Sequence, residues 1–324
     1  MKLAILDDYF DTLRTLPSFS KLDGHEVTVF TDHLQDTKPL AERLQDFEAI
    51  VLFRERTKIG ADLLERLPNL KLISQRGVYP HVDVEACTKN GVLLCSGMHG
   101  GAPSFAAAEH TFALILAAAR QIPAQMASLR AGQWQMGVGK TLHGRTLGLY
   151  GYGRIGKAVA GYARAFGMKV VFWASEESRR RAVADGETVA DSREAFFSGC
   201  DVVSLHLRLV PATRGIVTSA DFALMKPGAI FVNTSSAGLI EKGALLAGLE
   251  AGHPAQAAID VFDSEPVLDP ADPLVHHPGL IATPHIGFVT EDEFELQFSD
   301  IYDQILAYAN GAPINMINPE LRGA

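Results

Sequence analysis

Gly151-Tyr152-Gly153-Arg154-Ile155-Gly156 narrows what this chain can fold into more than any other stretch. A β-rich run, Thr146–Tyr150, precedes it. A helix-like stretch, Ile155–Phe166, follows and leads to a second β-rich run, Lys169–Trp173. G-x-G-x-x-G between a strand and a helix of one β-α-β unit requires a parallel sheet with a helix crossing back over it. Gly151 permits the tight turn, Gly153 leaves the backbone bare for a pyrophosphate, and Gly156 lets helix and strand pack closely. N–H groups at the helix start complete an anion site. The six residues are expected to bind a dinucleotide, NAD or NADP.

The rest of the chain extends the same pattern. Strands are expected at Lys2–Asp7, Glu26–Thr31, Ala49–Phe53, Leu70–Gln75 and Val92–Ser96, with helices at Leu40–Gln45, Ala61–Leu67 and Val84–Lys89 between them. A long helix is expected over Ser104–Arg120 with Ser104 as its N-cap, then an irregular stretch, Gln121–Lys140. Later strands are read at Asp201–Leu207, Ala229–Asn233, Gln256–Val261 and Leu280–Thr283, and helices at Arg193–Phe197, Ser219–Met225 and Glu241–Ala251. Alternating strand and helix means two α/β units in series. A last helix starts near Thr290, with an apolar stripe of Phe294, Phe298, Ile301, Ile305 and Tyr308.

Composition excludes some classes. With 324 residues, 47% hydrophobic and 21% charged, the chain has the apolar content for two cores and too much for disorder. A net charge of −9 and the lack of a basic block argue against nucleic acid and anionic membrane as partners. Thr111–Ala119 is too short to span a bilayer, and the first residues lack the form of a signal peptide. Cys87, Cys95 and Cys200 form no paired spacing, which fits a reducing cytoplasm. His276-His277 has no third ligand in reach, so no metal site is expected.

Open α/β sheets bind ligands beyond the carboxyl ends of their strands. The residues there are His206, Thr234 to Ala237, Asp260 with Asp263 and Glu265, and His285, all at the edge expected to hold a nicotinamide. A histidine near neutral pH with a carboxylate partner suits proton transfer at a carbon-bound oxygen, which marks His285 and Glu265. A ribose-binding carboxylate is expected about 20 residues past the glycines, but that position is Ala174. Ser175, Arg179 or Arg180 then accepts a 2′-phosphate, or Glu176 reaches the 2′-hydroxyl. The other reading of Arg179-Arg180-Arg181 is a solvated helix face.

These features resemble the D-isomer-specific 2-hydroxyacid dehydrogenase family over nearly the whole length. The carrying segments include the glycine fingerprint, Asp201 to His206, Met225 to Gly228, Val232 to Ser235, Ala258 to Phe262, Glu265-Pro266, Thr283 to Gly287 and Ala107 to His110. The resemblance implies two doubly wound lobes. Residues 1–98 and 293–324 would form a flavodoxin-like substrate domain, and 99–292 an inserted Rossmann NAD(P)-binding domain. It implies hydride transfer between NAD(P) and a 2-hydroxy or 2-keto acid. His285 is then the acid–base group, Glu265 its partner and Asp260 the ligand of the nicotinamide amide. The family's catalytic Arg position holds Ser236, which implies weakened chemistry. In the family the loop holding Arg76 and Gly77 offers backbone N–H groups to the substrate carboxylate. Arg76 and Arg54 are either compensating cations there or structural arginines. A homodimer through Gln121–Lys140 is implied, with Met126, Leu129 and Trp134 in the contact. A different class stays open: a non-catalytic dinucleotide-binding sensor or corepressor-like interaction protein.

Overall fold

The computed structural model describes residues 1–97 and 104–321. The chain divides into two compact units, Met1–Pro103 with Thr290–Ala324, and Ser104–Val289.

The first unit is a five-stranded parallel sheet. Its strands are β1 (Lys2–Ile5), β2 (Glu26–Val29), β3 (Ala49–Val51), β4 (Leu72–Arg76) and β5 (Leu93–Gly97), in the order β2-β1-β3-β4-β5. This is the flavodoxin-like order, with its switch point between β1 and β3. Helices α1 (Thr37–Leu44), α2 (Ala61–Leu64) and α3 (Val84–Lys89) make crossovers. Leu40, Leu44, Ile50, Leu63, Ile73 and Leu94 pack into one core. The strands end earlier than the apolar runs suggest. Asp7, one residue past Leu6, has φ +62°, which turns the chain out of the sheet.

The C-terminal helix, Glu291–Ala309, returns to this unit, with the Thr290 hydroxyl accepting from the Glu293 N–H as N-cap. Phe294 and Phe298 pack edge-on against Phe53 at centroid distances of 5.0 and 4.8 Å. Ser18 Oγ donates to Glu295 at 2.8 Å, and Gln304 Nε2 to the carbonyl of Gln75 at 2.9 Å. Of the expected stripe, Phe294, Phe298, Ile301 and Ile305 are buried; Tyr308 is half-buried.

The second unit opens with α4 (Ala106–Arg120) and α5 (Ile122–Arg130), followed by β6 (Thr146–Tyr150), α6 (Arg154–Ala165), β7 (Lys169–Trp173), α7 (Glu176–Ala184) and α8 (Arg193–Gly199). Then come β8 (Val202–Leu205), α9 (Ser219–Leu224), β9 (Ile230–Asn233), α10 (Ala244–Glu250), β10 (Gln256–Ile259) and β11 (Leu280–Ala282). All neighbours are parallel, in the Rossmann-type order β11-β10-β9-β8-β6-β7. Adjacent residues of one strand enter different cores: Leu149 and Val202 one, Tyr150 and Val203 the other. Both faces are covered, as an all-parallel sheet requires.

Two local expectations need correction. Ser104 does not cap α4. The helix starts at Ala106 with Phe105 at the N-cap and no side-chain cap, and the Ser104 carbonyl accepts from Arg154 instead. The stretch after Gln121 is not irregular throughout. Gln121 turns the chain with φ +54°, and Pro123 fits the first turn of a new helix, α5, where its missing N–H costs nothing. Ser128 is the buried residue of α5, whereas Leu129 is 61% exposed. Among the described residues no single helix is long and apolar enough to cross a membrane; α4 and α5 reach that length and apolarity only together, across a 59° bend.

Candidate active site

The glycine turn shows why each residue is small. A Cβ on Gly151, whose φ is +123°, would sit 2.3 Å from the carbonyl oxygen of His206. One on Gly156 would sit 3.0 Å from the carbonyl oxygen of Gly151. These two close the turn against β8. Nothing lies within 4 Å of a Cβ placed on Gly153, which is exposed at the N-cap of α6. The open side of the turn is therefore at the helix start, where N–H groups and the helix dipole favour phosphate. The geometry fits a dinucleotide.

The side chains of the fingerprint serve the fold. Tyr152 is buried on Phe172 with a centroid distance of 4.9 Å, and its hydroxyl donates to Asp185 Oδ2 at 2.5 Å. Lys157 meets the same oxygen at 2.9 Å. Ile155 packs on the core, and Arg154 reaches back to the Ser104 carbonyl. Any pyrophosphate contact from residues 151–153 is therefore a backbone contact. His206 follows β8, with Nε2 3.0 Å from Ser204 Oγ; burial pushes its imidazole down to about 4, so it is neutral at pH 7. It buttresses the turn, since its side chain stands 3.6 Å from a Cβ placed on Gly156.

At the carboxyl end of β11, His285 Nδ1 lies 2.6 Å from Glu265 Oε2. The other oxygen of Glu265 accepts from the Phe262 N–H at 2.9 Å, which fixes the carboxylate. His285 adopts φ +52°, a left-handed conformation that a side-chain-bearing residue holds only when its surroundings impose it. The imidazole lies edge-on to Phe288 at 5.3 Å. The side chains of His285 and Glu265 are 38% and 33% exposed, which leaves the pair accessible to a ligand.

Asp260 is what imposes that backbone. It is 1% exposed. Its Oδ1 accepts from Thr283 Oγ1 at 2.5 Å and from the Ile286 N–H at 2.8 Å; its Oδ2 accepts from the Gly287 N–H at 2.7 Å. His110 Nε2, from α4, adds a contact to Oδ1 at 3.2 Å. Burial pushes the carboxyl up, but the bonds from His110, Thr283, Ile286 and Gly287 outweigh it and hold Asp260 below the ordinary carboxylate range. Asp260, expected to hold the nicotinamide amide, also accepts on both oxygens from inside the protein. It clamps the segment on both sides of His285. His110 was missed as a member of this cluster, although Ala107 to His110 is one of the segments that carry the family resemblance.

The loop after β9 holds Thr234 and Ser236. Thr234 Oγ1 lies 2.6 Å from Thr111 Oγ1. Ser235 Oγ donates to the Leu205 carbonyl at 2.7 Å, and Asn233 Nδ2 to the Ser236 carbonyl at 2.9 Å. Ser236 is half-buried and brings no charge. Past β7, Ser175 caps α7 by accepting from the Ser178 N–H at 3.4 Å.

In the first unit, Arg54 and Gly77 are neighbours beyond β3 and β4: a Cβ on Gly77 would stand 4.0 Å from Arg54 Nη1. The Gly77 N–H donates to the Gly97 carbonyl at 3.0 Å, so that N–H is already used. Gln75 Nε2 holds the loop through the carbonyls of Gly77 and Val78 at 3.3 and 3.2 Å. Arg76 is paired with Asp300 at 3.0 Å and Glu293 at 3.8 Å, both on the C-terminal helix. Arg76 thus already meets two carboxylates, while Arg54 has Glu55 at 3.9 Å.

Comparison with known proteins agrees with this arrangement. Residues 112–287 match the family model described as D-isomer specific 2-hydroxyacid dehydrogenase, NAD binding domain. The chain is 36% identical over 302 residues to the D-3-phosphoglycerate dehydrogenase of Bacillus subtilis (strain 168), covering 90% of this chain and 56% of that protein. It therefore spans about half the length of that relative. It is 33% identical to the glyoxylate reductase of Thermococcus litoralis, covering 87% of each. The crystal structure of a phosphoglycerate oxidoreductase from Vibrio cholerae O395 superposes with a TM-score of 0.91 at 47% identity, covering 96% of this chain and 100% of that one. On the family match and the near full-length relatives, the chain belongs to the D-isomer specific 2-hydroxyacid dehydrogenase family.

Proposed function

We propose that the chain is an NAD(P)-linked oxidoreductase that interconverts a small 2-hydroxy acid and its 2-keto acid. The observation that carries this is the 2.6 Å contact between His285 Nδ1 and Glu265, at the same sheet edge as the glycine turn. A nicotinamide dinucleotide, when bound, exchanges a hydride with the substrate carbon. The protein's part is the proton. In reduction, His285 gives its Nε2 proton to the carbonyl oxygen, and Glu265 stabilises the imidazolium that precedes this step. Asp260 keeps the imidazole in place through the backbone around it. For the substrate carboxylate the family resemblance points to the Gly77 loop, with Arg54 next to Gly77 as the candidate cation, while Arg76, paired with Asp300 and Glu293, serves the fold. Ser236 leaves the family's Arg position without charge, so turnover is weak. The test is a screen with NADH and NADPH against small 2-keto acids including glyoxylate, and in the oxidative direction against D-3-phosphoglycerate. No turnover in either direction would refute the reading.

Ser236 also favours a second reading, a dinucleotide-binding sensor or corepressor-like protein without chemistry. Binding of cofactor with no turnover of any acid would select it.

The working form is a homodimer. Ile122, Met126 and Leu129 stand at i, i+4 and i+7 on the exposed face of α5, and Trp134 and Val138 beyond it are 77% and 90% exposed. An apolar surface of this kind fits a second copy of the chain. A reducing cytoplasm suits the three thiols, all free and buried, each pushed up to about 12 by desolvation.

A further inference from the structure

The end of β7 decides which dinucleotide the fold selects. A dinucleotide site of this type places a carboxylate there, which bonds the ribose 2′-hydroxyl and repels a 2′-phosphate. Here β7 ends at Trp173, and the next residue, Ala174, offers a buried methyl group. Ser175 then caps α7, so the side chains of the first turn determine what meets the ribose.

That turn sorts its charges by face. Residues four apart on a helix share a side. Glu176 shares a side with Arg180 and the two form an ion pair, both highly exposed. Ser175 shares a side with Arg179. The Arg179 guanidinium lies 4.0 Å from the Trp173 ring, over the last residue of β7, and among the described residues no carboxylate pairs with it. A guanidinium held over an indole by a cation–π contact can still offer N–H groups to an anion, and their fork matches a phosphate. The stacking also fixes the side chain before a ligand arrives, which lowers the ordering cost of binding.

We propose that Arg179, held on Trp173 beside the carboxylate-free end of β7, receives the 2′-phosphate of the dinucleotide, so that the chain takes NADP(H) in preference to NAD(H). Ser175 supplies a hydroxyl on the same side. Glu176, the carboxylate that would favour NAD(H), is drawn towards Arg180 on the neighbouring side. This rests on the cofactor reading above and adds its selectivity.

The test is calorimetric titration of the intact protein with NADP+ and NAD+, which needs no turnover. The parent protein should bind NADP+ at least about tenfold more tightly, the lower end of what one charge-assisted contact supplies. Arg179→Gln should weaken NADP+ by about tenfold or more and leave NAD+ within about twofold. Ala174→Asp, which restores the carboxylate, should reverse the preference. Because Trp134 and Trp173 are the two tryptophans, Trp134→Phe leaves Trp173 as sole reporter. Its emission should respond to NADP+, and this response should be lost in Arg179→Gln. Equal or tighter binding of NAD+ by the parent protein would overturn the inference while leaving the cofactor reading intact. So would a loss of NAD+ binding in Glu176→Gln. Failure of both dinucleotides to bind would overturn the cofactor reading and this inference together.

Discussion

Replacing Asp260 by Asn is the most direct way to ask what holds His285. The change keeps the shape and removes one acceptor. The Ile286 and Gly287 N–H groups bond different oxygens, Oδ1 and Oδ2. Thr283 and His110 can adapt, one by rotating its hydroxyl and the other by changing tautomer. The two backbone donors cannot. Whichever way the new amide sits, one of them faces an NH2 group. A buried donor left without a partner costs about 1–3 kcal/mol, and loss of the charge on the remaining bonds adds about 1 kcal/mol or more. We expect a loss of about 3 kcal/mol. For a unit of this size that is roughly 6–12 °C in the melting transition of the Rossmann unit. The assay is calorimetric or circular-dichroism melting of the parent and Asp260→Asn proteins, with dinucleotide titration of both at a temperature where they are folded. A variant that melts within about 2 °C of the parent would refute the anchor argument. If it melted normally but lost the dinucleotide, Asp260 would be a cofactor ligand, as its sequence position first implied.

Three further outcomes are expected. Ser236→Arg should raise kcat/KM for a 2-keto acid by roughly 10²–10³, the value of one preorganised donor at a developing oxyanion; unchanged kinetics would show that the missing arginine is not what limits turnover. Leu129→Glu should convert a dimer to a monomer by light scattering, with little change in melting temperature since Leu129 is 61% exposed; a parent protein that is already monomeric would remove the dimer reading. His206 should make stability fall as pH drops from 6.5 towards 4. Its folded value is depressed, so over that window the unfolded chain binds a proton that the native state refuses, a penalty of at most about 3 kcal/mol. Melting curves across pH 4 to 7 should therefore be flatter for His206→Asn than for the parent, and parallel curves would refute this.

What could be read from the sequence follows a physical division. β6 and β7 match the expected Thr146–Tyr150 and Lys169–Trp173 residue for residue, because Gly144 and Gly151 flank the first, Gly167 precedes the second, and both runs are rich in β-branched, aromatic and other apolar residues. His285 and Glu265 were found together because their chemistry is local to one sheet edge. α5 is hard to see in the sequence because Gly132, Gly137 and Gly139 make the whole stretch look irregular, while Pro123 sits in the helix's first turn, where proline is at home. The roles of Asp260 and Arg76 were not legible, since each depends on partners far along the chain. His110 lies on α4, and Asp300 lies on a helix that returns only at the end. Periodicity reports burial and local conformation; it carries no record of which distant donors a carboxylate will meet.

That returning helix imposes an order on synthesis. β1 to β5 leave the ribosome before Ser104–Val289, yet Phe53, Ser18 and the carbonyl of Gln75 acquire their partners Phe294, Glu295 and Gln304 only when Glu291–Ala309 emerges. In between, all of Ser104–Val289, a compact unit of its own, is made. The nascent chain therefore carries a finished unit in its middle while an exposed sheet face waits upstream of it. For that interval the face of β4 and β5 against which this helix packs is uncovered, the form in which a partly made protein recruits chaperones or aggregates. A ribosome stalled after Val289 would display a folded dinucleotide-binding unit tethered to an open sheet, and emergence of Glu291–Ala309 would be the event that closes it.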